Sequence, residues 1–465
     1  MRSQRALPSE PWVRWLLLVV LGSTSACGGG TNHTLREPRA ATAPGAKATA
    51  GADRAFVQVN GKQFTLNGKQ HRFVGVNFWY GAYLAAGDGL GNVERLRAEL
   101  DLLASLGVTN LRVLGASERG PMKHAIKPAF RGPGSDYNET LLRGLDLLLS
   151  EMGKRDLKAV IYLNNFWEWS GGMGTYLSWV NGGKFVDLGD PKQPWPAYPL
   201  FTMRFYENAR ANALYRDYLE AVLTRTNHVT HVPYQDDPTI MAWQLANEPR
   251  PGYNADTGNH VLSAFYRWVD ETAGFIKSLD PEHLVSSGNE GRTGCADQES
   301  CFIEAHRSRH IDYLTFHLWP KNWGWLDDHD VPGSIARTLD KAGDYIDEHI
   351  EYAEKLGKPL VLEEFGLPRD GGALTPGAPT HYRDRLYALV FDRVERSSSV
   401  GGPLVGSNVW SWGGFGRAAH DDARWRDGDT SYTGDPPQEP QGLNSIFDAD
   451  VSTLALLREH AKALR

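Results

Sequence analysis

Eight short apolar runs, with helix-like stretches set between them, constrain the fold of this chain more than any other feature. The runs are His71–Trp79, Val108–Leu114, Lys158–Asn165, Ile240–Asn247, Leu284–Asn289, Tyr313–Leu318, Leu360–Glu364 and Val405–Trp410. Amphipathic patterns fall between them at Val93–Leu106, Glu139–Gly153, Ala213–Thr226, Val261–Leu279, Ser334–Leu356 and Tyr382–Arg396, and Ser452–Leu464 follows the last run. Strands alternating with helices argue for parallel βα units. A chain of 465 residues could hold two or three domains, but no composition break divides residues 71–465. The expected fold is therefore α/β, a single (β/α)8 TIM barrel. An open doubly wound sheet is the competing fold, yet no Gly-x-Gly-x-x-Gly turn follows the first run.

Ahead of the barrel, Phe56–Gly61 and Phe64–Gly68 alternate apolar and polar residues around two Asn-Gly pairs, which predicts a β-hairpin capping the barrel bottom. Further upstream, Arg2, Arg5 and Arg14 precede the apolar stretch Trp15–Gly22 and then small residues up to Cys27. That stretch is too short to span a bilayer and has the order of an export signal. Ser25-Ala26-Cys27 before three glycines resembles a bacterial lipoprotein signal, although Thr24 stands where Leu is usual. The resemblance implies lipidation of Cys27; plain cleavage near Ala26 is the alternative. The expected layout is a signal at 1–26, a Gly/Ala/Thr/Pro-rich tether at 27–53 and a catalytic domain at 54–465. It places the protein outside the cytoplasm, secreted or membrane-anchored.

Three cysteines are an odd count, which lipidation of Cys27 would explain. Cys295 and Cys301 then form a small disulfide in an oxidising compartment, or stay as two thiols. No ligand pair has structural-zinc spacing, and His71, His124, His310 and His420 read as solvated or structural. The net charge of −7 comes without a basic stripe, so a neutral substrate is expected and nucleic acid is not. Of 15 tryptophans, Trp79, Trp167, Trp169, Trp319, Trp323, Trp325, Trp410 and Trp412 fall at or beyond strand ends. Eight so placed favour a cleft lined with flat faces on which sugar rings stack. Long loops, roughly 166–212 and 411–450, lie on the face where barrel active sites form.

Two carboxylates carry the chemistry. Glu248 ends the fourth run in Ala246-Asn247-Glu248-Pro249, and Glu364 ends the seventh in Glu363-Glu364-Phe365-Gly366. On a barrel these strand ends share one rim, and carboxylates about 5 to 5.5 Å apart cleave glycosidic bonds with retention. Arg112, inside an apolar strand, is costly unless a rim carboxylate pairs with it. Neighbours on a strand point to opposite faces, so only one of Glu363 and Glu364 should enter the mouth. Glu168 and Glu290 read as binding or capping residues.

Trp243 to Arg250, together with Glu364-Phe365-Gly366, resembles glycoside hydrolase family 5 of the retaining clan A, and specifically its bacterial subfamily 7 β-mannanases. Asn164 to Met173, Phe316 to Trp323, Gly434 to Pro437 and Gln441 to Ser445 carry the resemblance further. It implies Glu248 as acid/base, Glu364 as nucleophile, Asn247 binding the substrate 2-hydroxyl and Arg112 orienting the nucleophile. It also implies His317 as the histidine of strand six and Trp410 as the platform under the sugar being cleaved. Trp319 stands where many relatives have a tyrosine that donates to the nucleophile, which puts that role in doubt. Trp79, Trp167 and Trp319 are expected to contact substrate. The expected activity is a retaining endo-β-1,4-mannanase, monomeric and without cofactor or metal, acting on mannan, glucomannan or galactomannan. An exo-acting mannobiohydrolase or another β-glycanase is the enzymatic alternative; a non-catalytic glycan-binding lipoprotein is the other.

Overall fold

The computed structural model describes residues 55–465; the expected export signal, Cys27 and the expected tether lie outside the described residues. Three short strands come first: β1 (Gln58–Asn60), β2 (Gln63–Leu66) and β3 (Lys69–His71), paired antiparallel in that order. Their two-residue turns place Gly61, Asn67 and Gly68 at positive φ, which glycine and asparagine tolerate best. The cap is thus a three-stranded sheet rather than a two-stranded hairpin. The second Asn-Gly turn reverses the chain into β3, which takes His71 away from the run read as the first barrel strand.

Eight parallel strands follow: β4 (Phe73–Asn77), β5 (Asn110–Leu114), β6 (Lys158–Tyr162), β7 (Ile240–Gln244), β8 (Leu284–Ser286), β9 (Leu314–Leu318), β10 (Leu360–Phe365) and β11 (Leu404–Val409). Their ladder runs β8-β7-β6-β5-β4-β11-β10-β9. Between β8 and β9 the ring is bridged by Asp312 N–H to Val285 O at 2.8 Å, Thr315 Oγ1 to Asn289 O at 2.8 Å and His317 N–H to Glu290 O at 3.1 Å. All eight runs read from the sequence are barrel strands. The barrel bottom is plugged by apolar side chains, with Phe64 of the cap against Phe73 at 6.4 Å and Tyr313 at 5.3 Å.

Helix boundaries follow local chemistry. Asn92, Asn138, Asn208 and Asp330 each accept a backbone N–H three residues on, satisfying a donor that the first helical turn leaves free. Two helices stop where Gly107 and Gly357 turn left-handed, at φ 84° and 67°. The long loops after β6 and β11 both rise over the C-terminal rim. The second folds back on itself around Asp435, whose buried carboxylate accepts Gly442 N–H at 2.7 Å and Asn444 N–H at 2.8 Å.

Candidate active site

The chain just past β7 is held by both neighbours. Asn247 N–H donates to Asn164 O and Glu248 N–H to Gly288 O, each at 2.9 Å. Gly288, at φ 75°, has no side chain because an added Cβ would collide with Ala246 O. Glu248 itself takes a left-handed φ of 50°, a conformation that costs a non-glycine residue about 1 kcal/mol or more and recurs at functional sites. The result is a carboxylate aimed across the barrel mouth.

Arg112 reaches that mouth from β5, fully buried. Its Nε donates to Gln244 Oε1 at 2.9 Å, Nη1 to Asn77 Oδ1 at 3.1 Å and to Glu364 Oε1, and Nη2 to Asn247 Oδ1 at 2.8 Å. The guanidinium also lies 4.6 Å over the Tyr162 ring. Asn77 and Gln244 were given no site role in the sequence reading, because a polar residue inside an apolar strand shows no partner until the ring closes.

The strand-alternation argument for Glu363 fails here. The pairing of β10 with β9 shifts register between Leu362 and Glu364, a bulge that turns both glutamates toward the barrel axis. Glu364 sits at the rim on Arg112 Nη1; Glu363 lies beneath, 3.5 Å from Arg112 Nε and accepting Gln244 Nε2 at 2.6 Å. One cation therefore faces two buried carboxylates.

His317 of β9 joins the two candidate catalytic groups. Its Nδ1 lies 2.6 Å from Glu248 Oε1 and 3.3 Å from Glu364 Oε2, and each of the three residues offers an atom within 4.8 Å of the others. Burial lowers the imidazole to about 4, so the ring is neutral at pH 7. Its Nε2 is buried without a partner, which places the proton on Nδ1, donating to Glu248. Trp167 Nε1–H donates to the other oxygen of Glu248. Burial raises the Glu248 carboxyl, but the hydrogen bond from His317, Arg250 and Trp167 together pull it down to about 2. Burial pushes Glu364 well above the ordinary range, with Arg112 opposing and the Glu248 charge reinforcing. Two carboxylates this close titrate as a unit.

A cleft of about 350 Å³ opens over this cluster, walled by Trp167, Trp195, Trp319, Trp323, Trp410 and Glu439, with Trp169 also at its edge. Trp319 packs edge-on against Trp410 at 5.9 Å, and its indole N–H makes no hydrogen bond to Glu364 among the described residues. Trp79 does not reach the cleft, contrary to expectation. It is fully buried, packs on Trp169 at 5.4 Å and donates its indole N–H to Gly434 O at 2.6 Å, under the loop after β11. Trp412 is equally buried and donates to Glu99 at 2.8 Å. Trp195, exposed by 47 % and stacked on Trp167 at 6.2 Å, was missed because it sits mid-loop, far from any strand end. Arg250 was missed too; it ion-pairs with Glu290 and lies 4.9 Å over the Trp167 ring. Cys295 and Cys301 are joined as a disulfide, Cα atoms 5.5 Å apart.

A barrel with paired carboxylates, an arginine and tryptophans at its C-terminal rim is the architecture of a glycoside hydrolase. Comparison with known proteins identifies the family: residues 54–465 match the model of glycoside hydrolase family 5, β-mannosidase-like, and the chain belongs to that family. A crystal structure of a family 5 mannosidase from Rhizomucor miehei superposes with a TM-score of 0.80 at 34% identity, covering 89% of this chain and 98% of that one. Mannan endo-1,4-β-mannosidase 4 of Solanum lycopersicum is 30% identical over 379 residues, 79% of this chain and 86% of its own. Mannan endo-1,4-β-mannosidase 1 of Arabidopsis thaliana is 30% identical over 372 residues, 76% of this chain and 81% of its own.

Proposed function

We propose that this glycoside hydrolase cleaves β-1,4-mannosidic bonds with retention of configuration, Glu364 acting as nucleophile and Glu248 as acid and then base. The observation that carries the reading is the approach of Glu248, Glu364 and His317 to within 4.8 Å of one another at the barrel mouth. Glu364 attacks the anomeric carbon as Glu248 protonates the leaving oxygen; water, deprotonated by Glu248, then releases the sugar with its configuration kept. The donors on Glu248 favour its anion, the reverse of what the first step needs. His317 Nδ1–H faces both carboxylates and holds them together, and the proton the pair shares passes to Glu248 when a glycosidic oxygen enters. Arg112 opposes the effect of burial on Glu364 and stabilises its anion once the shared proton has gone to Glu248, and Trp410 lies under the reacting sugar. Glu364→Ala and Glu248→Ala should each abolish hydrolysis of soluble galactomannan while the melting transition persists; full activity in either variant sinks the assignment.

One observation favours cutting at chain ends over the endo action read from the sequence. The loop after β11 covers Trp79 and brings Pro436, Gln438 and Glu439 into the cleft wall, so sugar units beyond the one over Trp410 lose a platform on that side. Digestion of mannohexaose separates the modes: short sugars from one end alone support the chain-end reading, whereas mixed lengths from the outset support endo action. The subfamily 7 type belongs to the same proposal, supported by the motif set around Glu248 and Trp319. So does export with a lipid on Cys27, supported by the order of the N-terminal regions; Cys27→Ala should shift the protein from the membrane to the soluble fraction.

A further inference from the structure

The loops that hold Trp167 contain a second cluster that glycoside cleavage does not use. His124, on the loop after β5, and Glu168 and Asp187, both on the loop after β6, each present a ligand atom within 4.8 Å of the other two. Glu168 is 2 % exposed and Asp187 9 % exposed. Glu168 Oε2 accepts Leu188 N–H at 2.7 Å, whereas Oε1 is buried with no partner at all. Asp187 accepts Lys123 N–H at 2.9 Å on Oδ2 and Gly189 N–H at 2.8 Å on Oδ1, and its own N–H donates to Gln193 Oε1 at 2.7 Å. Neither carboxylate has a lysine or arginine partner among the described residues. Gly189 leaves room for these side chains: a Cβ there would lie 2.7 Å from His124 Cε1 and 3.1 Å from Asp187 Oδ1.

Two buried carboxylates facing each other without a cation are costly, and an orphaned oxygen adds to that cost. Burial and the neighbouring Asp187 push the Glu168 carboxyl up to about 7. One imidazole with two carboxylates is a donor set suited to zinc or manganese, the nitrogen favouring the softer ion and the oxygens the harder.

We propose that His124, Glu168 and Asp187 bind one divalent first-row metal ion, Zn²⁺ or Mn²⁺, that braces the two loops beneath the cleft. The bound ion neutralises the carboxylate pair and satisfies Glu168 Oε1. It ties the short helical turn Glu168–Ser170 to the segment at Asp187–Gly189. Trp167, next to that turn, donates to Glu248, so the ion steadies that donor without touching substrate. Sequence spacing could not show the site, because residues 124, 168 and 187 meet only through loop folding.

The test is calorimetric titration and thermal melting of the chelator-stripped full chain with Zn²⁺ and Mn²⁺ separately. The expected result is one ion per chain and a rise in Tm of about 3 °C at about 100 times Kd. Heat and shift should vanish in Glu168→Gln and Asp187→Asn and persist in Glu248→Gln, which separates this site from Glu248, His317 and Glu364. Metal-free Glu168→Gln should melt no lower than the metal-free parent, since the amide keeps the bond to Leu188 and removes the repulsion. If that variant does not fold, His124→Ala serves, with at least tenfold weaker binding expected. Failure of the parent to take up either ion overturns the proposal, as does unchanged affinity in the variants or loss of binding in Glu248→Gln.

Discussion

Replacing Arg112 by lysine keeps a positive charge near the candidate nucleophile and removes the fork that positions it. The guanidinium makes four side-chain hydrogen bonds, to Gln244, Asn77, Asn247 and Glu364. A lysine ammonium on Glu364 leaves the other three acceptors unpaired in a buried site. At about 1 kcal/mol each, the loss is about 3 kcal/mol. Spread over a barrel of roughly 400 residues, with an unfolding entropy near 2 cal/mol/K per residue, that lowers Tm by about 4 °C. Asn247 and Glu364 also lose their common anchor, and misplacement of reacting groups by about 1 Å costs about 100-fold in rate. Differential scanning calorimetry and kcat on soluble mannan measure the two effects on one preparation. Arg112→Lys with an unchanged Tm and kcat within threefold of the parent would refute the reasoning, because the guanidinium network would then be passive.

His349 supplies a pH prediction away from the cleft. Its Nδ1 faces Tyr345 O at 2.7 Å and its Nε2 accepts Arg292 N–H at 3.0 Å, an arrangement that only the neutral ring can make. Burial, the first cause, lowers it from 6.5 to about 3, so the unfolded chain binds the proton first as pH falls. Its contribution is complete above pH 6.5 and declines from there toward about 3. Urea midpoints at pH 5 and pH 8 should differ by less in His349→Gln than in the parent, and an equal difference would contradict this. Trp167→Phe removes a donor from Glu248 and raises its pKa, so the limb of the kcat/KM profile governed by Glu248 should move to higher pH; an unmoved profile would exclude the contact. Trp79→Ala empties a buried site at a cost of about 3–5 kcal/mol, about 4–6 °C in Tm. A raised KM at unchanged Tm would return Trp79 to the sugar-binding set.

Fold class and the two rim carboxylates were legible because both rest on local chemistry. Apolar runs and amphipathic periods mark βα units directly, and Asn-Glu-Pro marks a strand end. What stayed hidden depends on contacts distant in sequence. The bulge before Glu364 turns Glu363 inward, and alternation alone predicted the opposite. A tryptophan just past a strand reads the same whether a loop seals it from the cleft, as for Trp79, or leaves it in the cleft wall, as for Trp410. Gln244 and Asn77 acquire roles only around Arg112, and His124 meets its carboxylates only when two loops fold together.

The central claim is that Glu364 forms the covalent bond to the sugar. Its most direct test is peptide mapping by mass spectrometry after reaction with 2-deoxy-2-fluoro-β-mannosyl fluoride, which slows release of a glycosyl intermediate. One fluoromannosyl group per chain is expected, attached to Glu364 in the peptide containing Leu362-Glu363-Glu364-Phe365. Attachment to Glu248 or Glu363, or enzyme that turns over the reagent without carrying any label, would contradict it.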